Sequence, residues 1–192
     1  MDIYRETYHL KSNEYYEKKY SAPSRFDTKE VIFFKRILQV ELNEELRTII
    51  TNYFFNKYVT NSEESFSREL YMSLDQIKYM SGEGMHIGSH GYNHYWLGSL
   101  TKEKQNFEID KSIEFLKEAG ANLKNWTMCY PYGGYNQGTV SLLKNKGCKL
   151  ALTTIPDIAN AAVNNRFELP RLDTNDIPKD RQEFPNLWHQ KG

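Results

Sequence analysis

Between residues 85 and 154 the chain repeats one order of elements, and that repetition limits the fold more than any other feature. MHIGSH is too short and glycine-rich for a helix and reads as a buried strand entering a loop. Thr101 to Ala119 then reads as the longest helix, with Phe107, Ile109, Ile113, Phe115 and Leu116 on its apolar side and Gly120 as its stop. Trp126 to Tyr130 is a second strand, Asn136 to Lys146 a second helix closed by Gly147, and Cys148 to Thr153 a third strand. Strand, loop and helix in alternation imply an α/β architecture with parallel strands. Ligands on such folds bind at the carboxyl ends of the strands. SHGYNH, YPYGGYN and LPRLDTND all stand where loops leave strand-like segments.

Upstream, the pattern changes to helix alone. Residues 1–28 are rich in Tyr, Lys and Glu without clear periodicity, and read as a polar N-terminal arm with some helix, closed by the Pro23-Ser24-Arg25 turn. From Thr28, an expected cap, Val31, Phe34, Ile37, Leu38 and Leu42 recur near helical spacing. Asn43 and Ser73 are expected to cap two further helices. At 192 residues this describes one core, spanning 29–192. Lys+Arg and Asp+Glu both number 25, so no net field draws the chain to nucleic acid or to an anionic membrane. Cys129 and Cys148 are too few for a disulfide scaffold and read as buried thiols. No stretch reaches the apolar length of a spanning helix and the first residues carry no apolar leader core, which implies a soluble, cytoplasmic chain.

Chemistry concentrates in SHGYNH. His90 and His94, four apart, can point two imidazoles at one divalent ion, or each can simply hydrogen-bond neighbouring backbone. The surrounding pattern favours the metal. GMHIGSHGYNH, Gly84 to His94, resembles the second motif of the polysaccharide deacetylases of the NodB-homology type, approximately G-H-E-I-G-N-H-[ST]-x-x-H, and places His90 and His94 on its two metal-binding histidines. CYPYGGYN resembles the family's third motif, an aromatic-Pro-Tyr-Gly turn, downstream of a long helix as in the family. The resemblance covers roughly residues 30–178.

It implies a distorted (β/α) barrel, incomplete here at its N-terminus, and hydrolytic removal of acetyl groups from an N-acetylated carbohydrate. It also implies a divalent metal, usually zinc, with backbone N–H groups near Tyr132 stabilising the oxyanion. One such donor is worth about 3–4 kcal/mol in other enzymes. Tyr92, Tyr130 and Tyr135 offer aromatic faces for stacking on sugar rings, beside Tyr95 and Trp96, with ordinary core packing an equal explanation for some of them, while Trp96 and Leu97 read as structural. The family's third motif often begins with arginine. Here Cys129 stands at that position, and the later Leu169-Pro170-Arg171 makes Arg171 the expected orienter or substrate contact, with a surface ion pair to Asp173 or Asp176 as the other reading.

One departure is large. The family's first motif ends in two adjacent aspartates, a general base and a metal ligand, and this sequence contains no Asp-Asp pair. Asp27 reads as a cap or surface residue. The expectation is therefore a chain that starts downstream of that strand, a truncated product, fragment or degenerate homologue, with an exposed strand edge that favours self-association. Three readings follow: a deacetylase lacking its aspartate motif, a non-catalytic relative that binds sugar or a partner chain, and a structural α/β domain with incidental histidines. His86 reads as a satisfied core histidine of the strand, His189 resembles the family's last histidine only superficially, and His9 has no context beyond the arm.

Overall fold

The computed structural model describes residues 2–20, 22–23 and 27–180, and divides into two compact units, Met1–Tyr71 and Met72–Gly192. The first unit is helical: α1 (Asn13–Tyr20), α2 (Lys29–Arg36), α3 (Glu44–Tyr58) and α4 (Glu63–Leu70). Thr28, Asn43 and Ser62 each accept an N–H from the first turn of the following helix, which satisfies donors that have no partner inside the helix. This unit ends at Tyr71 and takes in both residues 1–28 and the helices that follow them. The expected polar arm contributes to this unit's core, because Tyr16 of α1 is buried with Ile37, Leu42 and Leu46.

The face of α2 also differs from its expected stripe. Ile32, Ile37 and Leu42 are buried, while Val31 and Phe34 are exposed. One π-helical turn, Ile37–Glu41, follows α2 directly, so residues on its two sides do not continue a single α-helical stripe. Its bond from Leu42 N–H to the Ile37 carbonyl (3.1 Å) spans five residues instead of four and shifts the phase of everything beyond it.

The second unit begins with α5 (Leu74–Gly82), where Ser73 and Gln76 form a capping box. Four extended segments then run parallel: the segment at Ser89, β1 (Met128–Cys129), β2 (Ala151–Leu152) and the segment at Leu169. Ser89 and Met128 pair, Met128 and Ala151 pair, and Leu152 and Leu169 pair, so spatial order follows chain order. Bonds from Ser89 N–H to the Thr127 carbonyl (2.8 Å), Tyr130 N–H to Leu152 (3.1 Å) and Thr153 N–H to Leu169 (2.8 Å) extend the ladder. Helices α6 (Lys102–Glu118) and α7 (Gln137–Asn145) connect these segments and pack on each other. The expected parallel α/β order is present; a closed barrel is not formed among the described residues. Among those residues no helix is long and apolar enough to cross a membrane.

The apolar side of α6 differs from expectation. Gln105, Glu108, Ile109, Ser112 and Leu116 are buried, while Phe107 and Phe115 are exposed. Positions 105, 109, 112 and 116 form one helical stripe with Glu108 along its edge, and Phe107 lies on the far side of the helix from it. Below the stripe Leu97, Trp126, Met128, Leu143, Ala151 and Phe167 form the core of the unit. The loops that follow all four parallel segments therefore leave from one end, carrying His90, Tyr132, Ile155 and Arg171 respectively.

Candidate functional site

His90 directly follows the paired Ser89, whose carbonyl accepts from Cys129 N–H at 2.9 Å. Its ring Nδ1 lies 2.7 Å from the Cys129 carbonyl of β1. A carbonyl only accepts, so Nδ1 carries a proton, which leaves Nε2 as the nitrogen with a lone pair to offer in the tautomer that binds a metal. The Nε2 atoms of His90 and His94 are 3.1 Å apart. Two nitrogens held about 2.0–2.1 Å from a tetrahedral zinc lie about 3.3 Å apart, so the imidazole pair fits a shared divalent ion. A carbonyl behind the ring that fixes its tautomer is the arrangement ligating histidines usually have. Both rings are exposed, and His94 has left-handed backbone (φ 59°). Among the described residues no third His, Cys, Asp or Glu joins the pair to make a three-ligand cluster.

Tyr132 completes a short row of rings. It lies edge-on to His94 with centroids 4.6 Å apart and stacks on Trp96 at 5.1 Å and 11°. Its backbone is also left-handed (φ 56°), a conformation that costs a non-glycine residue energy and concentrates at functional turns. The turn is held by Gly133 N–H on the Tyr130 carbonyl and Gly134 N–H on the Pro131 carbonyl, both 2.9 Å. Gly134 has to be glycine, because a Cβ there would meet the Trp96 ring at 2.8 Å.

Arg171 reaches the same end from the last segment. Its Nε donates to the Thr153 carbonyl (2.9 Å) and its Nη1 lies 3.7 Å from Cys129 Sγ. The guanidinium thus lies beside Cys129, and among the described residues no ion pair of Arg171 accompanies that contact. Cys129 links two functions: its carbonyl holds His90 and its sulfur faces Arg171.

The expected sugar contacts separate. Tyr130 is a correction: it is wholly buried, its hydroxyl donates to the Phe167 carbonyl (2.9 Å), and burial holds that hydroxyl well above the ordinary tyrosine range. A ring with no open face cannot stack on a sugar. Tyr135 stacks on Tyr130 at 4.4 Å and is partly buried, which together with the Glu168 carboxylate raises its hydroxyl. Tyr92 is exposed but turned edge-on to Phe107, with centroids 6.3 Å apart. His86 bonds the Thr127 hydroxyl (3.0 Å) and stands outside the pair, satisfied as expected though on the surface. Asp27 pairs with Lys35 in the first unit, and His189 lies outside the described residues.

Sequence reasoning missed Glu108. It is buried on α6 and accepts from Tyr92 N–H (3.1 Å), Asn93 N–H (2.7 Å) and the Asn93 side-chain amide (2.6 Å). The available signal was its place on the stripe of α6 that ends in Leu116.

These features agree with the comparisons. The sequence profile described as Polysaccharide deacetylase matches residues 25–151, more than half of the chain, and the chain belongs to that family. The YxkH protein of Bacillus subtilis (strain 168), named as a polysaccharide deacetylase, is 27% identical over 97 residues, which are 50% of this chain and 34% of that protein. The Streptococcus pyogenes deacetylase PplD, solved in complex with acetate, is 32% identical, covering 53% of this chain and 44% of that one, with a TM-score of 0.48. A polysaccharide deacetylase from Bacillus cereus is 24% identical, covering 53% and 32%, with a TM-score of 0.45. The chain spans about a third of the curated relative and less than half of either solved chain. Family membership rests on the profile match.

Proposed function

We propose that this chain carries the two-histidine part of a divalent-metal site, zinc by preference, in a hydrolase that removes N-acetyl groups from a glycan or glycan precursor, with surface-polysaccharide synthesis as its setting. The observation that carries the reading is the convergence of His90 Nε2 and His94 Nε2 to 3.1 Å, with His90 fixed from behind by the Cys129 carbonyl. When bound, such an ion lowers the pKa of a coordinated water and polarises an acetyl carbonyl. The chain's own part is positional. His90 and His94 supply two neutral imidazole nitrogens, and backbone N–H groups at the Tyr132 turn are the oxyanion donors. Arg171 orients groups beside Cys129, and Tyr92 and Tyr135 flank the mouth for the sugar. Within this reading the fold is an incomplete (β/α) barrel, and the free edge of the Ser89 segment favours self-association. A monomer peak at high concentration in size-exclusion chromatography would count against that last point.

A second reading, a non-catalytic relative that binds carbohydrate, is favoured by one specific observation: the sequence has no Asp-Asp pair to supply a base and a third ligand. One experiment orders the two. Zinc is titrated by calorimetry into the chain and into His90→Ala, and acetate release from an N-acetylated oligosaccharide is followed in parallel. Micromolar or tighter binding that the substitution abolishes supports the metal site, and acetate release on top of it supports the hydrolase. Binding without release favours the second reading. A folded chain that ignores zinc sinks the metal site.

A further inference from the structure

Glu108 is 2% exposed, and among the described residues it forms no ion pair. Burying a carboxylate without a cation is costly, and side chains are found in that state when a set of hydrogen bonds requires one. Here the set is specific. All three groups that Glu108 receives are donors, and all belong to Tyr92 and Asn93, which lie between His90 and His94. An ionised carboxylate is an acceptor at both oxygens, so it satisfies three donors without presenting one of its own.

The loop it holds does not rest in a relaxed conformation. Gly91 (φ 78°) and His94 (φ 59°) are both left-handed, and such backbone in a non-glycine residue persists only where the surroundings enforce it. One helical turn after Glu108, on the same face of α6, Ser112 adds a second tie: its hydroxyl accepts from Ser89 Oγ (2.9 Å), and Ser89 Oγ accepts from Gly91 N–H (3.3 Å). Helix α6 therefore grips the loop at two heights, with the imidazole pair on the loop's exposed side.

We infer that Glu108 is a positioning residue for the histidine pair, fixing the 91–94 backbone so that the two Nε2 atoms converge. The inference rests on the metal reading above only for the consequence it has on affinity; the geometric part stands on the loop itself. The amide isostere is informative because Asn93 can turn its amide over: in Glu108→Gln the remaining oxygen still accepts both backbone N–H groups, and the new NH2 donates to Asn93 Oδ1. Asn93→Asp instead sets a carboxylate against Glu108, and the double variant Asn93→Asp with Glu108→Gln restores complementarity.

The test uses the whole metal-free chain, with amide hydrogen exchange at Tyr92 and Asn93 and imidazole 15N shifts of His90 and His94, followed by zinc calorimetry. Glu108→Ala and Asn93→Asp are expected to lose the amide protection, to shift the His94 ring toward a solvent-averaged imidazole and to weaken zinc about 10–100-fold; Glu108→Gln and the double variant are expected within about threefold of the parent. Should Glu108→Ala fail to fold, Asn93→Asp carries the test from an exposed position. Unchanged protection and ring shifts in a folded Glu108→Ala, or in Asn93→Asp, would overturn the inference. A parent chain that binds no zinc sinks the metal reading, while the exchange and 15N data still decide on Glu108.

Discussion

In Met72–Gly192 a single cluster buries Leu97, Ile109, Trp126, Met128, Leu143 and Phe167 to 2% exposure or less, whereas in Met1–Tyr71 the buried cluster is Tyr16, Ile37, Leu42 and Leu46. The first unit also contains an apolar cavity of about 690 Å3, lined among others by Phe33, Ile37, Leu42, Ile50 and Phe54. The difference shows what parallel segments add. In the second unit α6, α7, β1 and β2 all contribute to one buried cluster, through Ile109 and Leu116, Val140 and Leu143, Met128, and Ala151. Four short helices joined by capped turns enclose less.

The comparison makes its largest prediction in the two cores. Leu143→Ala removes a side chain from a closed cluster, where a cavity cannot collapse or fill, and is expected to cost about 4 kcal/mol. Leu42→Ala enlarges a space that already exists and is expected to cost about 2 kcal/mol. Hydrogen exchange of the slowest amides in α7 and in α3 reports the opening of each unit by itself. Equal losses would erase the distinction between the units.

Alkaline pH should separate the units next. Burial pushes the Cys148 thiol up to about 11 from an ordinary value of 9.0, and Tyr130 moves in the same direction for the same reason. Between those values the folded chain keeps a proton that the unfolded chain releases, so the stabilisation is complete below pH about 9 and lost by pH about 11. It amounts to about 3 kcal/mol from Cys148. In the first unit the raised hydroxyls of Tyr8 and Tyr20 are far more exposed, and their contribution is smaller. Exchange rates measured at pH 8 and 10.5 should rise much more in α7 than in α3, and Cys148→Ala should remove most of that difference. A response of equal size in both units would show that buried thiol and phenol are not its source.

The sequence made the second unit more legible than the first, for a physical reason. Its elements are punctuated by residues that have only one good use: Asn136 as a cap, and Gly120 and Gly147 with positive φ at helix ends. His90 and His94 stood out because two imidazoles four residues apart on one loop carry their own spacing, and the folded chain brings their Nε2 atoms to 3.1 Å. Arg171 was singled out by its Leu-Pro-Arg context, and the folded chain sets its Nη1 3.7 Å from Cys129 Sγ. What spacing could not show was inserted or inverted patterns. The π turn at Ile37–Glu41 interrupted the stripe running on from α2, and Glu108 occupied a buried position that hydrophobicity alone assigns to an apolar side chain. Tyr130 was misread as a sugar contact because an aromatic next to a motif and an aromatic beneath it look identical in one dimension.

The smallest expected effect compares like with like, since α3 and α7 are both opened by asparagine. Asn43 accepts from Leu46 N–H at 2.9 Å and begins α3. Asn136 accepts from Thr139 N–H at the same 2.9 Å and begins α7, but its amide also donates to the Gly98 carbonyl at 2.9 Å, tying the helix to the loop after Trp96. Removing a cap costs about 1 kcal/mol, so Asn43→Ala should cost about that much. Asn136→Ala should cost about 1 kcal/mol more, the net worth of a further hydrogen bond. Asn136→Asp keeps an acceptor for the cap and loses the donor to Gly98, so it should fall between the parent and Asn136→Ala. Equilibrium exchange of the first free amides of α3 and α7 reads all three values. If Asn136→Asp matched the parent, the Gly98 bond would contribute nothing, and the two caps would be equivalent despite their different surroundings.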